Sequence, residues 1–195
     1  EHNSRPDAPV YYPVIPADKG LFLGTSRRMH PNVCRFISES IYDGRLEAYA
    51  DCERQRVQLG RRELIDVEAG IQFSAVEHEG NVQRSDEEVE RVVRVFQELC
   101  GRPFTDKDGS TRPLMLDDFL FIAPYNAQVR ALKDALPEGA KVGSVDRFQG
   151  QEAPVTVLSL CSSAGEYGSR GLGFILDKNR VNVAISRAKC LAVVV

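Results

Sequence analysis

Residues 178–195, KNRVNVAISRAKCLAVVV, predict a short helix delivered straight into a buried strand. Asp177 is placed to cap the helix, and its carboxylate suits the positive N-terminal end. Val181, Ile185 and Ala188 recur at helical spacing and are expected to lie against a sheet. Lys189 is expected to close the helix. Leu191 to Val195 form an apolar run rich in β-branched residues, the pattern of a strand covered on both faces. Arg180 and Arg187 stand seven residues apart, two helical turns, so both guanidiniums are expected to leave one face. Two cations backed by rigid core can grip phosphate. On a solvated surface the same pair would merely meet local acids.

The remaining chain supplies the partners of that strand. FLFIA (119–123) and VTVLSL (155–160) read as buried strands, and Lys141 to Val145 as another. Pro124-Tyr125-Asn126 leads into a helix with Val129, Leu132 and Leu136 inward, and DRFQGQE (146–152) forms the exit loop of the 141–145 strand. IQFSAV (71–76) alternates like a strand. Ser85 and Glu88 read as a capping box opening a helix that runs to Leu99, with Val89, Val92, Val93 and Phe96 inward and a stop at Gly101. GLFLG (20–24) is a short strand candidate. Pro31 suits a helical first turn, Val33, Phe36, Ile37 and Ile41 give that helix its apolar face, and it ends near Asp43-Gly44. Arg27, Arg28 and His30 then fall between a strand end and a helix, where open parallel sheets bind ligands. Arg28 is well placed to reach an anion, and His30 is expected to orient the loop by a hydrogen bond. Residues 1–19 are proline-rich and read as an extended lead-in. Residues 45–69 are charge-rich and patternless, an irregular excursion, and 101–118 reads as a loop. Strands alternating with helices at this pitch predict a mostly parallel, doubly wound α/β sheet.

Composition fits that class. The 195 residues are 43% hydrophobic and 27% charged, enough for one domain with a real core. A net charge of −3 excludes a uniformly basic protein but allows a local basic groove. Five cysteines without a CxxC pair suit a reducing cytosol and support no metal site. No membrane span or signal peptide is visible, and no membrane partner is expected. The chain starts at Glu1 and ends within an apolar strand, so it is expected to be a piece of something longer. No G-x-x-x-x-G-K-[ST] loop occurs, nor a strand ending in an Asp-Glu pair for Mg²⁺. GSRGLG (168–173) matches a dinucleotide signature only loosely. With histidine only at 2, 30 and 78, a histidine-based catalytic triad is not expected.

Four blocks, in order, resemble one family: RRMHP (27–31), APYNAQ (123–128), VGSVDRFQGQE (142–152) and NRVNVAISRAK (179–189). They are similar to the second RecA-like motor domain of superfamily 1 helicases of the 5′-to-3′ branch, over residues 20–195. Within that branch the chain resembles helicases of nonsense-mediated decay and replication, and bacterial fusions of a RecB-family nuclease to such a motor. The resemblance implies a RecA-like three-layer fold and an ATP site shared between two RecA-like domains. The phosphate loop and the Mg²⁺ ligands would belong to the other, N-terminal domain. Arg187 would then act as an arginine finger and Arg28 as a second γ-phosphate clamp. Arg27 takes the place of an aromatic that stacks on adenine, and its guanidinium can stack in turn. Gln149, Gly150, Glu152 and Arg180 would complete the nucleotide side, with Glu152 accepting from the ribose. Pro124, Asn126, Gln128, Ser144 and Ser163 would face single-stranded DNA or RNA, while Ser162 stands where relatives often carry arginine. A bacterial cytosolic protein, in some cases with a fused nuclease domain, is the implied setting. A reading of another class is a degenerate RecA-like module that binds nucleic acid or a partner without catalysis.

Overall fold

The computed structural model describes residues 20–60, 64–163 and 177–195. The lead-in 1–19 and the glycine-rich 164–173 therefore lie outside the described residues. Five strands, β4 (Gly70–Phe73), β7 (Phe119–Ile122), β8 (Lys141–Gly143), β9 (Ala153–Leu158) and β10 (Ala188–Val194), form one sheet in the order β4-β10-β9-β7-β8. Every pairing in it is parallel. Helices α1 (Pro31–Ile41), α2 (Asp86–Leu99), α3 (Asn126–Ala135) and α4 (Lys178–Ile185) flank it.

The two-residue period of the strands builds the layers. Phe119 and Phe121 join Val155, Val157, Leu191 and Val193 in a core closed by α2 and α3. Phe96 of α2 meets Phe119 edge-on at 5.2 Å and Phe121 at 5.9 Å, the favoured aromatic geometry. Ala188 and Ala192 face the opposite side with Val33 and Ile37 of α1 and Ile185 of α4. Leu120, Ile122 and Leu158 also face that side, packing with Phe148 and Ala184. This is the doubly wound α/β arrangement that the alternation predicts.

Several boundaries differ from the sequence reading. GLFLG forms no strand: Leu21 is 94% exposed and Leu23 84%, and only Thr25–Ser26 (β1) pairs, in parallel with Glu47–Ala48 (β2). Residues 45–69 are not patternless. They hold β2, a 3₁₀ turn at Ala50–Arg54 and β3 (Arg56–Val57). The stretch read as a loop at 101–118 contains a hairpin, β5 (Pro103–Thr105) and β6 (Thr111–Pro113), which joins β3 in a small antiparallel sheet. Helix α4 ends at Ile185 rather than at Lys189, and β10 already starts at Ala188. The capping box is half made: Ser85 Oγ accepts Glu88 N–H at 3.1 Å, but Gln128 Oε1, not Glu88, accepts the Ser85 N–H. Gly101, at φ +83°, does stop α2.

Candidate functional site

Arg28 and Arg187 meet in a cleft of about 480 Å³. The backbone brings them together because His30 N–H donates to Lys189 O at 2.7 Å, tying the start of α1 to the start of β10. Arg28 Nε donates to Glu152 Oε2 at 2.6 Å and Nη1 to Ser186 O at 3.1 Å. Its carbonyl accepts from Gln55 Nε2 at 3.0 Å. Arg187 lies beyond the end of α4, where Nε donates to Val183 O at 3.0 Å and Nη1 to Gln151 O at 3.4 Å. Lys189 Nζ sits 3.3 Å from Glu152 Oε1. Glu152 precedes β9 and Arg187 precedes β10, so the cleft opens at the N-terminal ends of these strands, not at the carboxyl ends expected for an open sheet.

Electrostatics define the cleft as a place for an anion. Arg27, Arg28, Lys107 and Arg187 line it against one carboxylate, Glu152. Partial burial pushes the Glu152 carboxyl up, but the Arg28 hydrogen bond and the Lys189 and Arg28 charges outweigh it and hold it below the usual range. Burial, then the Arg28 charge, lowers the Arg187 guanidinium from its ordinary value. Arg27 lies over Tyr49, its Cζ 4.7 Å from the ring centroid, a cation–π contact. Of the two arginines read as sharing one face, Arg187 lines the cleft and Arg180 does not. Gln149 and Gly150 also stay outside the lining, exposed in the turn before Glu152. Tyr49 and Gln55 flank the 3₁₀ turn and Lys107 sits in the β5–β6 turn, connections that leave no periodic signal in the sequence.

The opposite end of the sheet holds the other predicted residues. Pro124 and exposed Asn126 follow β7, half-buried Ser144 follows β8, and Ser163 follows β9. Gln128 is corrected: it is fully buried, its amide donating to Ser85 O and Ser159 Oγ and accepting from Ser85 N–H, with nothing left for a strand. A serine–histidine–acid set does exist, also against expectation. Ser163 Oγ lies 2.7 Å from His78 Nδ1, and His78 Nε2 lies 2.9 Å from Glu88 Oε1. Glu88 is 2% exposed and also accepts from Cys161 N–H and Ser159 Oγ, while Ser163 Oγ accepts Asn81 N–H at 3.0 Å. Glu88 accepts from Cys161 N–H, and Ser163 Oγ meets Asn81 N–H and His78 O, so the set braces the loop after β9. Cys161 holds that loop at φ +53°, and burial pushes its thiol far above the usual range. Among the described residues no group of His, Cys, Asp and Glu is placed to hold a metal ion, and no helix is long and apolar enough to cross a membrane.

The family described as an AAA domain matches residues 15–195. The chain belongs to that family. Relatives of this AAA-domain chain include proteins with helicase names and an exoribonuclease. It is 32% identical over 188 residues to "Probable helicase MAGATAMA 3" of Arabidopsis thaliana, covering 89% of this chain and 22% of that protein. It is 30% identical over 182 residues to "Helicase sen1" of Schizosaccharomyces pombe, with 86% and 10% covered. It is 28% identical over 193 residues to "3'-5' exoribonuclease HELZ2" of Mus musculus, with 87% and 6% covered. The AAA-domain chain thus spans less than a quarter of these relatives.

Proposed function

We propose that this domain is the second RecA-like half of a superfamily 1 helicase or translocase motor, acting on single-stranded DNA or RNA. The observation that carries the reading is the convergence of Arg28 and Arg187 on one cleft in which cations outnumber carboxylates four to one. That donor set fits a nucleoside triphosphate, whose phosphate oxygens match guanidinium forks. ATP with Mg²⁺ supplies the driving reaction when bound, and the N-terminal RecA-like domain of the same protein supplies the phosphate loop and the metal ligands. Arg187 neutralises charge developing on the transferred phosphoryl group, an effect worth on the order of a thousand-fold or more in rate. Arg28 clamps the same group. Glu152 holds Arg28 in place, and a ribose hydroxyl competes for that carboxylate. Arg27, over Tyr49, stacks on the base. Arg180, Gln149 and Gly150 act at the rim.

At the other end, Pro124, Asn126, Ser144 and Ser163 meet the sugar–phosphate backbone of the strand, with little sequence preference. A fused nuclease domain and a bacterial cytosolic setting belong to the same proposal.

The test is ATP hydrolysis by the full-length protein with and without single-stranded DNA or RNA. Wild type should be stimulated, and Arg187→Ala should lose stimulated turnover while retaining strand binding. Wild type that binds a strand but hydrolyses nothing would favour the non-catalytic module.

A further inference from the structure

We propose that Lys107, at the tip of the β5–β6 hairpin, binds the phosphate chain of the nucleotide held in this cleft. The proposal rests on the nucleotide reading above and extends it to an element outside the four blocks. Lys107 lines the cleft with Arg28 and Arg187, and its Nζ donates to Arg27 O at 3.1 Å. Its own carbonyl accepts from Arg54 Nη1 at 3.4 Å, so the tip rests on the 3₁₀ turn while the side chain crosses to the β1–α1 loop.

The tip is built to present that ammonium. Asp106 N–H donates to Ser110 O and Gly109 N–H to Asp106 O, both at 2.9 Å, with Gly109 at φ +86° where a side chain would be strained. The neighbouring carboxylates face local donors. Asp106 Oδ1 accepts Lys107 N–H at 2.7 Å, and Asp108 Oδ1 accepts Ser110 N–H and Oγ at 2.8 and 2.6 Å. Among the described residues Lys107 forms no ion pair, and one neutral carbonyl is its hydrogen-bond acceptor. Glu152, the one carboxylate among the described residues that line the cleft, already serves Arg28 and Lys189. The Ser110 hydrogen bonds come first in lowering the Asp108 carboxyl, and the Lys107 charge is the last of the causes. A cation with no ion-pair partner among the described residues, beside two arginines, gains most from a charged ligand atom. That favours phosphate oxygen over a neutral base edge or hydroxyl. Lysine suits the task, because a point charge on a flexible stem can follow a phosphate oxygen without fork geometry.

The experiment titrates the full-length protein and its variants with a fluorescent, non-hydrolysable ATP analogue, then displaces it with adenosine. Lys107→Ala should weaken analogue binding about five- to ten-fold, the loss of one charge-assisted contact, with Lys107→Arg within about two-fold of wild type. The affinity for adenosine, obtained from the displacement, should be the same for all three. Lys107 is exposed, so its truncation leaves the core intact. Unchanged analogue affinity in Lys107→Ala, beside a wild type that binds, overturns the assignment of Lys107 alone. An equal loss for adenosine overturns the phosphate contact. A wild type that binds no analogue overturns the nucleotide reading and this proposal together.

Discussion

Arg28 is held from both sides, its guanidinium by Glu152 and Ser186 O and its carbonyl by Gln55. The Arg28–Glu152 pair is partly exposed, so it adds little to stability and mainly keeps the guanidinium aimed before a ligand arrives. His30 fixes the same loop, but through one protonation state. Its Nδ1 accepts Asn32 N–H at 3.1 Å as the N-cap of α1, which requires the neutral ring. Burial lowers the imidazole from its ordinary 6.5, against the opposing Glu53 charge. A depressed folded value means that stability is present above the ordinary value and lost as pH falls through the folded one. The thermal midpoint should therefore fall as pH drops below 6.5, and His30→Asn, a cap without that proton, should fall less. Calorimetry across this range checks it, and parallel pH profiles for the two proteins would refute it.

The β5–β6 hairpin is the element that brings a small antiparallel sheet to the cleft. Its root is clamped by Arg112, which donates to both oxygens of Asp118 at 2.6 Å, while Met115 N–H donates to the same carboxylate at 2.8 Å. Desolvation raises the Asp118 carboxyl, but the Arg112 and Met115 hydrogen bonds prevail and leave it lowered. Truncating Arg112 strands a mostly buried carboxylate. Arg112→Ala is expected to cost about 1–2 kcal/mol, read as a shift of the urea midpoint. It should also speed amide exchange across 103–113 while β7 and β9 stay protected. Uniform acceleration across the sheet would show that the hairpin does not open by itself.

Across the molecule, the two candidate ends are joined by one short segment. Gly143 stands level with Ile122 in the parallel sheet, and Ile122 with Leu158, so Ser144 lies at the carboxyl end. Glu152 lies at the opposite end, before Ala153. Residues 144–152 therefore run the height of the sheet, linking the cleft to the opposite end. In the proposed motor the arginines of this cleft complete a site whose phosphate loop belongs to the other RecA-like domain. Residues 1–195 prepared alone should fold cooperatively and show no ATP turnover in a phosphate-release assay. Robust turnover would contradict the shared site.

The alternation of strand and helix was settled by the sequence alone, because an apolar strand covered on both faces and an amphipathic helix each leave a local pattern. That pattern places β7, β9, β10, α2 and α3, and it brought Arg28 and Arg187 forward from their blocks. The wall of the cleft was decided only by tertiary structure. Strands β2 and β3 are two residues each, too short for a period, and β3 finds its partner Phe104 from Val57 across the chain. No local signal could assign Tyr49, Gln55 or Lys107 to Arg27 and Arg28. The same holds for Arg180, which helical spacing paired with Arg187. Helix α4 stops at Ile185 so that Ala188 can enter the sheet, and that turn carries Arg187 into the cleft by itself.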